Sequence, residues 1–243
     1  MTLPVLVAIA LIIAFAAATQ SITGFGFALI AVPGLALLLL GPKVAVVAMS
    51  SVGVPLVIWN AIRWRHDILW REAVTTSIAA WIGMPIGLIV LTHADDQVLT
   101  ATIGVTILIM TAWLWRGLKL PEGRATELTA GFVSGTLSTS VGTNGPPMVI
   151  AFQAVGLEPK PFRATLQACF VGQGSIALAL FWSRGLIVHD VGIAFLIGAP
   201  AAVIGALLGD RFAPRVHAGP FRNAVLILLV CSGALALGDA LFG

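Results

Sequence analysis

Apolar runs of about 18–22 residues, the length needed to cross a hydrocarbon core of roughly 30 Å, recur along this chain from one end to the other. Six are sized for a single crossing, at 44–62, 73–91, 98–115, 164–182, 191–209 and 221–242. Burying such runs in water takes a polar shell, and the shell is missing. Charged residues make up 9% of the 243 and hydrophobic residues 59%, whereas a soluble domain carries roughly 25% charged residues. The sequence predicts an all-α polytopic membrane protein embedded in a lipid bilayer.

Two apolar segments do not fit the single-crossing length. Residues 4–40 are too long for one crossing and are interrupted by Gln20-Ser21-Ile22-Thr23-Gly24-Phe25-Gly26. Residues 128–155 are too long for one straight helix and short for two full ones; their interruption is Ser138-Thr139-Ser140-Val141-Gly142-Thr143-Asn144-Gly145-Pro146-Pro147. Both read as broken helices, with second arms starting near Phe27 and near Met148. Residues 4–18 end in Ala16-Ala17-Ala18 like a signal peptide, but no Lys or Arg precedes Lys43. Without a positive n-region they read as a retained membrane segment.

The formal charge of +3 is spread through short loops rather than gathered in a patch, which argues for a topology signal and against a nucleic-acid partner. Lys and Arg prefer the cytoplasmic side. If each broken segment folds back as a hairpin, one side collects Arg63, Arg65, Arg71, Arg116, Lys119, Arg124, Lys160, Arg163, Arg211, Arg215 and Arg222, and the other only Lys43 and Arg184. If the second broken segment crosses once instead, the charges divide almost evenly. The hairpin arrangement is expected, with loops 63–72, 116–124, 156–163 and 210–222 cytoplasmic and 92–97 and 183–190 outside.

The halves also echo each other. Gly24 corresponds to Gly142, and Gly83-Met84-Pro85 to Gly198-Ala199-Pro200. The expected architecture is two inverted repeats, residues 1–120 and 121–243, each a broken or re-entrant helical hairpin followed by three transmembrane helices. Discontinuous helices at matching positions of inverted repeats are a pattern of secondary transporters, with substrate bound where the breaks meet.

Irregular backbone at membrane depth is tolerated only where it is buried in protein or lines a cavity. The second arm of each break presents unpaired N–H groups and the positive end of a helix dipole, which attract anions. The candidate substrate contacts are therefore Ser21, Thr23, Gly24, Gly26, Ser140, Gly142, Thr143, Asn144 and Gly145, the glycines for close backbone approach and the others as hydrogen-bond donors. Gly26 and Gly145 are expected to hold backbone conformations that a branched residue resists. Gln167 and Gln173, polar and within a span, are further candidates. The pairs Gly83/Gly87, Gly131/Gly135 and Gly205/Gly209 have the small-xxx-small spacing of close helix packing.

The runs Thr23-Gly24-Phe25-Gly26-Phe27-Ala28-Leu29-Ile30-Ala31-Val32-Pro33 and Val141-Gly142-Thr143-Asn144-Gly145-Pro146-Pro147-Met148-Val149 resemble the duplicated glycine-rich signatures of the TauE/SafE family of membrane permeases. The likeness extends over nearly the whole chain. It departs from the commoner glycine-richer runs at Phe27 and Ala28, and at Asn144. The resemblance implies a multi-pass protein of the bacterial cell (inner) membrane that exports a small anion such as sulfite, an organosulfonate or a carboxylate.

Other function classes find less support. A hydrolase needs a nucleophile with a buried base or a metal, but His66, His93, His189 and His217 fall between the apolar segments. Ser134-Gly135 lacks the upstream glycine of a serine elbow. Cys169 and Cys231 sit inside apolar segments as small hydrophobes, so neither catalytic residues, a metal nor a cofactor are expected. The acidic residues fall in loops or at segment ends, which disfavours a buried proton relay. An anion channel or a non-transporting membrane protein is the alternative, and the sequence leaves homo-oligomerisation open.

Overall fold

The computed structural model describes residues 3–117, 121–213 and 218–242. Lys119, Arg215 and His217, which entered the charge and histidine arguments, lie outside them. The described residues form ten α-helices: α1 (Leu3–Thr23), α2 (Phe27–Leu35), α3 (Pro42–Arg63), α4 (Trp70–His93), α5 (Asp96–Arg116), α6 (Arg124–Ser140), α7 (Gly145–Ala154), α8 (Pro159–Ser183), α9 (His189–Phe212) and α10 (Ala218–Phe242).

Seven of these are long and apolar enough to cross a membrane: α1, α3, α4, α5, α8, α9 and the Asn223–Leu241 part of α10. Six match the predicted spans, with helices extending past the apolar limits. The seventh, α1, was expected only as the first arm of a broken segment. It runs 21 residues, about 31 Å at 1.5 Å per residue, so the first break falls at the end of a full-length helix. The second arms are short, 9 residues in α2 and 10 in α7. Past Pro33, α2 widens into a π-turn at Ala36–Leu40 that ends at Gly41. Helix α7 begins at Gly145, three residues before the expected Met148, because Pro146 and Pro147 fit the first turn of a helix, where an N–H is not required.

The described histidines stand at a turn and at helix ends between the apolar segments. His66 lies in a 3-10 turn at Arg65–Asp67, His93 is the last residue of α4 and His189 the first of α9.

Small residues decide which helices meet. A Cβ on Gly135 of α6 would stand 1.9 Å from the Ala80 carbonyl oxygen of α4, and one on Gly87 of α4 would stand 2.0 Å from that of Thr136. On the other side of the molecule, Cβ atoms on Gly205 and Gly209 of α9 would stand 2.1 and 2.5 Å from the carbonyls of Ala14 and Ala18 in α1. Backbones this close gain dispersion contacts that lipid cannot match, which is how helices associate without a hydrophobic effect between them. The three glycine pairs read from the sequence are thus packing positions. Helix α5 pairs with α10 through Gly104 and Gly233, and α3 crosses α8 where Gly174 meets Val54. Exchanging α1–α5 for α6–α10 maps these pairings onto each other.

Polar links fix the two ends of the bundle. At one end Arg63 pairs with Asp210, the Leu69 N–H donates to Thr165 Oγ1 at 3.0 Å, and the Arg163 guanidinium lies 5.7 Å from the centre of the Trp64 ring. At the other end Lys43 lies 3.8 Å from Asp96, and Gln97 donates to the Ala240 carbonyl. Outward faces are apolar, as on α9 at Leu196, Val203, Ile204 and Leu207, and Trp70, Trp115 and Trp182 are exposed at helix ends, where aromatic rings favour the membrane–water interface.

Candidate functional site

Both breaks are turned by glycines that need their freedom. Gly24 (φ 89) follows the last residue of α1 and α2 begins after Gly26 (φ 101), while Gly142 (φ 74) stands two residues beyond the end of α6. At the second break the Thr143 N–H returns to the Leu137 carbonyl at 3.2 Å across the left-handed Gly142, the closure common at helix C-termini. Gly145 differs from the expectation. Its φ is not positive, because it is already the first residue of α7, and a Cβ there would lie 3.6 Å from that of Phe25. The two breaks therefore touch each other through Phe25 and Gly145.

Between them lies a cavity of about 70 Å³ lined by the start of α2 (Gly26 to Leu29), by Gly142 to Gly145, by Gln20 and Ser138 at the ends of α1 and α6, and by the facing parts of α3 and α8. That is well above the roughly 10–15 Å³ minimum for holding one water, and leaves room for a few waters or a small oxyanion. A larger hollow of 350 Å³ at the end of α3 carries Arg63, Arg65 and His66 beside Trp59 and Ile62; the others are mostly apolar, such as the 300 Å³ crevice between α3 and α9 lined by Val52, Leu56, Trp59 and Ala202. They suit acyl chains better than an ion.

The structure brings five of the sequence candidates into the cavity wall: Gly26, Gly142, Thr143, Asn144 and Gly145. The other six stand outside it. Gln167 donates to the Gly24 carbonyl at 2.9 Å, and the Ser134 hydroxyl shares its proton between the Asn144 carbonyl at 2.7 Å and Gln173 Oε1 at 3.0 Å. The two glutamines therefore brace one break each. Thr23 Oγ1 is taken up by the carbonyls of Thr19 and Phe25, and Ser140 Oγ by that of Thr136. Arg163 Nη2 caps the end of α1 through the carbonyls of Ser21 and Ile22, at 2.6 and 2.7 Å. A Cβ on Gly24 would stand 3.1 Å from the Arg163 stem.

Two residues of the wall carry buried donors without acceptors. Thr143 Oγ1 and Gln20 Nε2 are buried and unpartnered, in side chains 1% and 5% exposed. At the start of α2 the N–H groups of Phe27, Ala28 and Leu29 have no intrahelical partner, and Gly26 offers no side-chain cap. Helix α7 is poorer in donors, since Pro146 and Pro147 carry no N–H; Gly145 contributes one, beside Thr143 and Asn144. Among the described residues, neither an acid nor a base lines the cavity.

Sequence reasoning missed Gln20, Ser50 and Ser138 in the wall, and Ser134 and Arg163 as braces. Gln20 and Ser138 carried a signal, since they sit at the same spacing as Gly24 and Gly142. Arg163 did not, because a charge next to a loop reads as topology.

A model of the family described as "Sulfite exporter TauE/SafE" matches residues 9–236. The chain belongs to the TauE/SafE family. It is similar to a protein of Cupriavidus necator called "Probable sulfite/organosulfonate exporter TauE", 25% identical over 229 residues covering 88% of this chain and 87% of that one. It is also similar to a Comamonas testosteroni protein called "Probable inner membrane transporter protein TsaS", 28% identical over 179 residues, covering 69% and 72% of the two chains. No solved structure matches the chain. Members of the family are transporters rather than enzymes, so the chain is a multi-pass membrane transporter.

Proposed function

We propose that this transporter exports a small anion of the sulfite, organosulfonate or carboxylate type from the bacterial cytoplasm across the inner membrane. The anion sits between the N-termini of α2 and α7. One observation carries the reading: two chain breaks, 118 residues apart in sequence, meet at one small cavity whose buried donors, Thr143 Oγ1 and Gln20 Nε2, lack acceptors. A buried donor left unpaired costs about 1–3 kcal/mol, and an anion is the ligand that removes that cost at several donors together.

In this reading residues 1–120 and 121–243 are inverted repeats. The exchangeable helix pairs α1·α9 and α6·α4 are the surfaces on which one repeat moves against the other to expose the cavity to alternate sides. An anion leaving a cell that is negative inside gains about 2.3 kcal/mol per charge per 100 mV, so export proceeds as uniport.

The test is transport of sulfite and small sulfonates by purified protein in proteoliposomes. Thr143→Val and Asn144→Leu remove donors at nearly constant volume. A hydrogen bond to a charged acceptor is worth about 1.5–3 kcal/mol, so apparent affinity falls about tenfold or more for Thr143→Val. Unchanged affinity in the double variant for every anion tested would move the site away from the breaks.

A further inference from the structure

We propose that the cavity accepts an anionic head carrying a single negative charge and rejects doubly charged forms of the same size. This rests on the reading of the paired breaks as the anion site. The compensation the cavity offers is fixed and at most about one charge, since Pro146 and Pro147 remove two of the N–H groups at the start of α7. The aligned peptide dipoles of a helix amount to roughly half a positive charge at its N-terminus, and two such ends, of α2 and α7, border the cavity. The remaining contacts are neutral donors, led by the unpartnered Thr143 Oγ1 and Gln20 Nε2.

Among the described residues, no Lys, Arg or His lines the wall. Arg163, the cation beside the first break, is turned to the Ser21 and Ile22 carbonyls and the Trp64 ring. Attraction to fixed dipoles grows in proportion to the ligand's charge, whereas the cost of taking an ion out of water grows with the square of it. Doubling the charge doubles the gain and raises the cost about fourfold. A site built from dipoles alone therefore favours the monoanion, and an acid that ionises twice travels in its singly protonated form, carrying its own proton.

The experiment uses wild-type protein in proteoliposomes with equal pH on both sides, and three probes of similar size: sulfite, which passes from monoanion to dianion; methanesulfonate, a monoanion throughout; and sulfate, a dianion. As pH rises past the second dissociation of sulfite, its apparent affinity should fall about tenfold per pH unit, following the monoanion fraction. Methanesulfonate should stay flat, and sulfate should compete with it at least a hundredfold more weakly than sulfite at low pH. Sulfate competing as well as methanesulfonate, or sulfite affinity independent of pH while methanesulfonate is also flat, overturns the proposal and leaves the anion site standing. Failure of all three probes to bind removes the anion site and the charge rule together.

Discussion

At the residue scale, Gly26 and Gly145 separate conformation from space. Gly26 holds φ 101 with nothing nearer its would-be Cβ than Thr19 Cγ2 at 3.9 Å. Gly26→Ala therefore meets no atom but forces a left-handed backbone, at a cost of roughly 1–2 kcal/mol. Gly145→Ala needs no left-handed backbone and finds no atom nearer its Cβ than 3.6 Å, but its methyl group enters the cavity wall beside Phe25 and Phe170. The expected outcome is lower thermal stability for Gly26→Ala, and intact stability with weaker transport for Gly145→Ala, read by melting in detergent and by flux. Normal flux in a well-folded Gly145→Ala would mean that substrate does not reach α7. The sequence pointed to both glycines for the same reason, since spacing identifies a break but not which of its residues turns the chain. The position of Pro146 and Pro147 settles that question, because they place Gly145 inside the first turn of α7.

At the element scale, the helix partners follow from where a backbone can come close. The Gly83/Gly87 and Gly131/Gly135 spacings were legible as packing motifs, but not that they belong to one interface, because a small-residue stripe does not name its partner. Only the structure sets Gly135 against Ala80 and Gly205 against Ala14. A methyl group at either would overlap a carbonyl oxygen, which no rotamer change can relieve. Gly135→Ala and Gly205→Ala should each destabilise by at least about 1–3 kcal/mol, the usual range for overpacking. Gly172→Ala, whose Cβ would lie 3.3 Å from Ser77 Oγ, should be milder. Thermal unfolding in a fixed detergent ranks the three; equal midpoints would show that α4–α6 and α1–α9 pack less closely than described. Ser134 and Gln167 belong to the same scale. They were invisible as braces because each acts on a backbone carbonyl that spacing does not bring near, Gln167 on Gly24 from the other half of the chain and Ser134 on Asn144 across the second break.

At the scale of the whole molecule, the sidedness of the loops decides between a hairpin and a crossing at the second break. Helices α4 and α5 are 24 and 21 residues long, about 36 and 31 Å, so each spans the bilayer and they return the chain to the side of 64–69 before α6 begins. If α6 and α7 together crossed once, α8 would start at the far end, and Thr165 could not accept a hydrogen bond from Leu69 at 3.0 Å. That bond, the Arg163–Trp64 contact and the Arg63–Asp210 pair join segments that the charge count alone had assigned to the cytoplasm. Single cysteines in a Cys169→Ser, Cys231→Ser background give the test; Thr76 Oγ1, 3.3 Å from Cys169 Sγ, provides the new hydroxyl with a partner. His66→Cys, Glu122→Cys and Glu158→Cys, all at exposed positions, should react with an impermeant maleimide only from the cytoplasmic face, and Asp95→Cys and Ile187→Cys only from outside. Labelling of 158 from the face opposite 66 would mean that the second broken segment crosses. The halves would then run parallel rather than inverted, and the anion preference proposed for the opposed helix ends would have to be explained without the repeat.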